Sequence, residues 1–410
     1  MSIPAQTTAP DGAKHGRPPL GMLALLLAFP SLGFVQKYTG LAGAAAYVAL
    51  VIGMVFLIAM LSKRAAPWLR RHFQKLAALS ILGLAAGFVV LHPIEDDRGP
   101  GKSNDRDEGL EMAVTRMARG ETPYYPSNRI AGPLSVLPGS MFLAAPFVAL
   151  GNSGYQNVFW LAAFLIAACA YFKDKAAALY LLAVPLGLSL AAQYEFVSGG
   201  DLIANGIFVA LFFLFALQSW SVATTPAWQR WLACLLLGVG LASRANFILL
   251  LLLFGAAMWQ LAGWRNAVTT TALVGMTAAT ITLPFYLHDP AGFTPLLTRQ
   301  KLAGVDHVLP WASKAMIGAS VLVSVLGAWV LWRRESFRTI PLFFRCCTWV
   351  TLTPIVAAVL FSSWISGSPD FSFLHDRFGL MYVFFAILGW GGALLGDGCE
   401  PEATANGKEI

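Results

Sequence analysis

Eight of the chain's 21 acidic residues fall between positions 93 and 132, in a sequence that is otherwise largely apolar. They include Glu95, Asp96 and Asp97, then Asp107, Glu108 and Glu111. Clustered carboxylates can take a proton from an attacking hydroxyl or hold a divalent cation such as Mg or Mn. Asp107, Glu108 and Glu111 are spaced to share one side of a helix. Leu110, Ala113, Val114 and Met117 recur at three- and four-residue spacing and form an adjoining apolar stripe. Acids suit the first turn of a helix and Gly120 suits its stop. The pattern predicts an amphipathic helix at a membrane interface, with its apolar side on the membrane or bundle and its carboxylates towards a cavity. Directly afterwards, Tyr124 and Tyr125 stand between Pro123 and Pro126. Such a rigid aromatic strand can wall a sugar ring or anchor the chain at an interface.

A second set of residues suits an anionic group. Arg244 stands between two apolar runs, where a charge costs about 2.5–3.5 kcal/mol on insertion scales and must face a partner or a cavity. It either contacts a phosphate or pairs with an acid such as Asp201 or Glu195. In the segment 286–313, Arg299 and Lys301 can donate charge-assisted hydrogen bonds to a phosphate, with His307 nearby. His288 and His307 are too far apart in sequence to mark a metal site by spacing. Phe373-Leu-His375-Asp376-Arg377-Phe378 opens the last apolar run and adds His375 and Arg377 to the binding candidates.

The elements that position these residues are membrane spans. The chain has 410 residues, 57% of them hydrophobic and 12% charged. Soluble domains carry roughly twice that charge, and repeated apolar runs of about 18 residues or more mark an all-α polytopic bundle. The runs are continuous rather than alternating, which argues against a transmembrane barrel. Spans are expected near 20–36, 41–61, 76–92, 133–150, 155–172, 176–195, 201–218, 229–262, 267–287, 314–332, 341–364 and 377–395. The stretch 229–262 is one tilted helix or two short ones broken near Ser243–Asn246, so roughly 11–13 spans are expected. Residues 1–19 read as a cytoplasmic tail before an uncleaved first helix, and 396–410 as a polar tail.

Lys63, Arg64, Arg70, Arg71 and Lys75 stand together without an acid, which assigns 62–75 to the cytoplasm. The acidic loop 93–132 and the segment 286–313 then lie outside. A simple span count puts Tyr194–Asp201 on the cytoplasmic side, and one wrongly assigned span between 133 and 200 reverses it. The net charge of +7 fits this bias and requires no nucleic-acid partner. The five cysteines form no disulfide framework or metal-ligand spacing.

The run from Asp107 to Gly151 resembles the first extracytoplasmic loop of GT-C-type glycosyltransferases. The matching features are Asp107-Glu108, a short amphipathic helix to Arg119, the turn Gly120 to Tyr124, then Pro133-Leu134 leading a span that ends near Gly151. Ser198-Gly199-Gly200-Asp201, Gly240–Arg244 and Leu283–Phe293 resemble later segments of such enzymes. The family usually has one helix before the loop, whereas three are expected here. The resemblance implies an integral membrane enzyme, and the composition of the tail points to a bacterial inner membrane. It would take sugar from a polyprenyl-phosphate donor and pass it, with inversion, to a lipid or glycan acceptor on the extracytoplasmic face. It makes Asp107 the base or acceptor-positioning residue; by their place at the end of the preceding span Asp96 and Asp97 rank second as base candidates, and Glu108 or Glu111 third. The competing readings are a transporter or flippase of lipid-linked saccharide and a non-catalytic subunit of envelope assembly.

Overall fold

The computed structural model describes residues 20–97, 105–124, 134–297, 310–333 and 339–394. Among them the secondary structure is helical, with no strand. Helix α1 (Leu20–Ala28) passes through a 3₁₀ turn into α2 (Leu32–Asp96). Then come α3 (Arg106–Ala118), α4 (Pro138–Ala149), α5 (Tyr155–Phe172), α6 (Lys175–Leu188), α7 (Leu190–Val197), α8 (Leu202–Ser221) and α9 (Ala227–Leu241). Helices α10 (Leu250–His288), α11 (Ala312–Arg333), α12 (Thr339–Ser366) and α13 (Leu380–Trp390) complete the bundle. Six of the described helical segments are long and apolar enough to cross a membrane, or seven if the pair α6 and α7, bent by 89°, forms one span. This is a polytopic helical membrane protein.

Two of these segments reverse direction internally, which reconciles six long helices with the larger number of expected spans. Tyr47 Oη donates to Leu188 O at 2.5 Å, and His92 Nδ1 lies 3.1 Å from Val197 O. Leu188 and Val197 are nine residues apart, at most about 32 Å. A straight helix from Tyr47 to His92 would measure about 68 Å. Helix α2 must therefore double back, and Pro67 is the break in its hydrogen-bond ladder between those two contacts. Beside it, Arg70 meets Asp174 at the far end of the bundle. In α10 the reversal is at Gly263, whose φ of 81° is left-handed. Gly255 then faces Thr271 and Gly275 faces Leu251, an antiparallel register centred on that glycine. Gly40 breaks the start of α2 in the same way.

The expected break near Ser243 is present, because α9 ends at Leu241 and a 3₁₀ segment, Ala245–Leu249, leads into α10. The expected span 133–150 is not. Helix α4 has 12 residues, about 18 Å, against a hydrocarbon core of about 30 Å. Both its ends return to one region: Ser140 bonds to Asn205, and Asn152 just beyond α4 bonds to His92. With that span lost, the count placing Tyr194–Asp201 opposite the acidic loop is overturned, and these residues lie at the same end as Asp107.

The main core joins α1, α2 and α5–α13 around phenylalanines such as Phe164, Phe208, Phe213, Phe254, Phe344 and Phe385. A smaller core caps one end. There the α3 stripe of Leu110, Ala113 and Val114 packs with Met141, Ala144, Leu134, Val136, Tyr124 and Phe293. The predicted helix over 107–119 thus buries its apolar side against α4.

Candidate functional site

The turn between α7 and α8, Ser198-Gly199-Gly200-Asp201, is the hub of the capped end. Gly199 adopts φ 68°, and a Cβ there would stand 3.0 Å from Asp107 Oδ2 and 3.2 Å from His92 Cε1. Only glycine lets the turn approach the α3 acid this closely. Gly200 packs on Glu195, and its carbonyl accepts from Asn157 Nδ2 at 2.9 Å. Asp201 pairs with Arg244. Asp107, His92, Glu195, Asp201 and Arg244, all buried, thus collect around four residues of backbone.

Asp107 is 4% exposed. Its Oδ2 lies 3.5 Å from His92 Nε2, and its Oδ1 has no hydrogen-bond partner. Burial, reinforced by the negative charge of Glu108, pushes its carboxyl up to about 9. Glu108, partly exposed, is also raised, first by burial and further by Asp96 beyond it. The α3 helix is tied down beside these acids. Glu111 Oε1 accepts from the Ser153 backbone N–H at 2.7 Å, and Ser153 Oγ donates to the Asp107 carbonyl at 3.4 Å.

Glu195 is fully buried in α7. Arg377 Nε lies 2.8 Å from its Oε2, Arg106 Nη1 lies 3.8 Å from its Oε1, and the Leu202 backbone N–H donates to Oε1 at 3.0 Å. The Arg377 guanidinium stacks over Tyr194 at 4.6 Å, and Arg106 stacks over Phe378 at 5.2 Å. On the other side of the hub, Arg244 Nη1 donates to Ser135 Oγ at 3.0 Å, and Asn205 Nδ2 donates to Asp201 Oδ2 at 2.6 Å. Arg244 therefore has the acidic partner its depth demands.

The sequence candidates separate into three groups. Asp107, Glu108, Glu111, Asp201, Arg244 and Arg377 come together around the hub. Asp96 and Asp97 are exposed at the end of α2, and Asp96 reaches the cluster only through Glu108. Asp97 does not belong to the buried site. Tyr124 is not a sugar wall: its ring packs edge-on against Phe285 and Phe293, and its hydroxyl donates to Val136 O at 3.3 Å, inside the small core. His375 is exposed, with its Nε2 2.9 Å from Gly33 O. Tyr125, Arg299, Lys301 and His307 lie outside the described residues, as do both terminal tails.

Sequence reasoning missed His92, Arg106 and Asn152, and treated Glu195 only as a partner for Arg244. Phe88 and His92, four apart and stacked at 4.7 Å, are the one local signal available for His92. Among the described residues, no group of three or more His, Cys, Asp or Glu side chains is placed to hold a metal ion.

Charge sorts between the two ends of the bundle. Lys63, Arg64, Arg70, Arg71, Lys75, Lys173, Lys175, Arg230, Arg265 and Arg333 stand at the end opposite Asp107. Among the described residues, the single carboxylate there is Asp174, which accepts from Arg70 at 2.9 and 2.6 Å. Exposed indoles of Trp68, Trp228, Trp264 and Trp332 surround this basic end.

No family model matches the chain, and neither curated proteins nor solved structures include one found similar to it.

Proposed function

We propose that the protein is an integral membrane glycosyltransferase of the GT-C type. It moves a sugar from a polyprenyl-phosphate donor to a lipid or glycan acceptor of the cell envelope. The acidic end faces the extracytoplasmic side of a bacterial inner membrane, a reading supported by the basic opposite end and the cytoplasmic bias of Lys and Arg. The observation that carries the proposal is Asp107: a buried carboxyl, perturbed by burial and a neighbouring acid, packed on the Gly199 turn whose Asp201 pairs with Arg244. Strongly perturbed acids beside specific charge partners are candidates for proton-transfer chemistry.

In this reaction the Asp107 carboxylate removes the proton from the acceptor hydroxyl. The hydroxyl oxygen attacks the anomeric carbon from the face opposite the phosphate, and the lipid phosphate leaves with the bonding electron pair. Arg244, Arg377 and Arg106 supply positive charge near the leaving phosphate. Glu111 acts through Ser153 to fix α3 and does not touch the reacting atoms.

The test is sugar transfer by membrane vesicles supplied with radiolabelled polyprenyl-phospho-sugars. Asp107→Asn is expected to lose about 10²–10⁴-fold in transfer rate, with expression and donor binding nearly unchanged. Full activity in Asp107→Asn removes the assignment. Wild-type vesicles that move intact lipid-linked sugar across the membrane without forming a glycosidic bond support a transporter instead.

A further inference from the structure

We propose that the groove between the two limbs of α10 and the last turns of α11 binds one anionic phospholipid. An acyl chain lies between the helices, and the phosphate meets Arg265 and Arg333. Such a site is independent of any sugar chemistry at the acidic end.

The groove follows from the reversal of α10 at Gly263. Small residues line it on all three segments: Gly255 and Ala256 on the first limb, Ala272 and Gly275 on the second, and Ala328 on α11. A Cβ on Gly275 would stand 3.3 Å from Leu251, and one on Gly255 would stand 3.1 Å from Thr271 Oγ1, so the limbs lie close along the groove. The space left by these small side chains is about 890 Å³. On the first limb the lining runs from Leu251 to Trp259, and on the second from Ala267 to Met276. Each stretch is about 12–14 Å of helix, close to one leaflet's share, about 15 Å, of the hydrocarbon core.

The lining side chains are apolar or aromatic apart from Thr271, whose Oγ1 is itself buried. Water finds few hydrogen-bond partners in such a groove, whereas methylene groups gain dispersion contacts there.

The cations stand at one end of it. Arg265 follows the Gly263 reversal, between the lining residues Trp259 and Ala267, and Arg333 follows the lining residue Trp332. Gln260 Nε2 donates to the Trp332 carbonyl and ties the end of α11 to that reversal. The Arg265 guanidinium lies 5.6 Å over the Trp264 ring, and that of Arg333 lies 4.8 Å over Trp329. Stacking steadies a guanidinium and leaves its N–H donors, which lie in its own plane, able to meet a phosphate. Indoles at this level suit the interface where headgroups begin.

The inner end, at Leu251 and Met276, has no cation among its lining residues. Arg244, beyond it in the sequence, is buried and paired with Asp201. The charge therefore orients an occupant with its phosphate at the basic end and its chain pointing inwards. A polyprenyl phosphate anchored at the hub would put its phosphate at the opposite end. A zwitterionic lipid would bring an ammonium group towards two arginines, a cost that an anionic headgroup does not carry.

The experiment is photo-crosslinking of the full-length protein in phosphatidylcholine nanodiscs. They contain a trace of phosphatidylglycerol with a diazirine on one acyl chain, and adducts are mapped by mass spectrometry. Peptides carrying Trp259, Met276 or Trp332 should be labelled about tenfold more than by the same chain on a phosphatidylcholine headgroup, the preference that two cations near one phosphate confer. Arg265→Gln combined with Arg333→Gln alters only exposed side chains and should bring labelling down to the phosphatidylcholine level. Ala272→Phe, at an exposed lining position, should fill the groove and remove labelling by both photolipids. Equal labelling by the two headgroups in wild type marks ordinary surrounding lipid and overturns the proposal. Undiminished labelling in Ala272→Phe overturns it too. Displacement of the photolipid by an equal amount of polyprenyl phosphate also overturns it and gives the groove to a donor tail. Should either variant fail to fold, the wild-type headgroup comparison and the polyprenyl competition decide the matter. No sugar donor enters these measurements. Loss of the lipid site leaves the glycosyltransferase reading standing, and absence of sugar transfer leaves the lipid site standing.

Discussion

The two ends of the bundle handle charge in opposite ways. At the acidic end, ion pairs are enclosed: the side chains of Arg377 and Glu195 are 9% and 0% exposed, and those of Arg244 and Asp201 are 7% and 2%. At the basic end the Arg70 side chain is 51% exposed beside Asp174. An enclosed pair is held by the high cost of leaving either charge alone in a low-dielectric site, not by a large net gain. An exposed pair is screened by water and contributes little. The acidic end is therefore built to fix geometry. The basic end is built to meet headgroups and solvent.

Substituting Glu195 tests this contrast most severely. Glu195→Gln leaves Arg377 and Arg106 facing a neutral group, and it should lower stability by about 3–5 kcal/mol in a denaturant titration of detergent-solubilised protein. A loss below about 1 kcal/mol would mean that the arginines find other partners and that the end is less rigid than described.

The next effect is a pH dependence peculiar to the acidic end. The folded state raises Asp107 to about 9, well above its ordinary carboxylate value. The folded state then binds more protons than the unfolded chain across that interval, so stability falls as pH rises through it. The slope is limited to about 1.4 kcal/mol per pH unit for one proton. Glu108, raised in the same direction, adds to it. Thermal unfolding followed from acid to alkaline pH should show this decline in wild type and a shallower one in Asp107→Asn. Parallel curves would show that Asp107 is solvated.

Smaller effects sharpen the boundary between site and scaffold. Tyr124→Phe removes one hydrogen bond from the small core and should cost about 1 kcal/mol, with transfer rates unchanged. A loss of transfer alone would return Tyr124 to the site. Arg70→Ala at the basic end should cost less than about 1 kcal/mol, measured in the same titration as Glu195→Gln.

What the sequence made legible follows from the range of the forces involved. Apolar runs report burial locally, so the limbs of α2 and α10, the break near Ser243 and the amphipathic α3 could all be anticipated. The run 133–150 is as apolar as a span, yet α4 lies with both ends near the hub. Contacts to Asn205 and His92 decide that, and no local pattern encodes them. Tyr124 illustrates the same limit, since an aromatic beside prolines reads alike whether it faces a ligand or a core. The partners of Glu195 come from α3 and from the turn before α13, so its role is invisible until the chain has closed. A single histidine at the end of an apolar helix, such as His92, reads first as an interfacial residue.

The last helix also sets a timetable for biogenesis. Arg377 reaches Glu195, His375 reaches Gly33, and Tyr382 Oη donates to Leu26 O at 2.8 Å. These contacts join the final helix to the first and to the hub, so none can form while the ribosome is still making the middle of the chain. Until α13 is inserted, Glu195 waits in the membrane without Arg377, and α1 lacks its neighbour. A chain truncated before Leu374 would carry every residue of the acidic loop and still present the insertion machinery with an unfinished bundle, a ready target for membrane proteases.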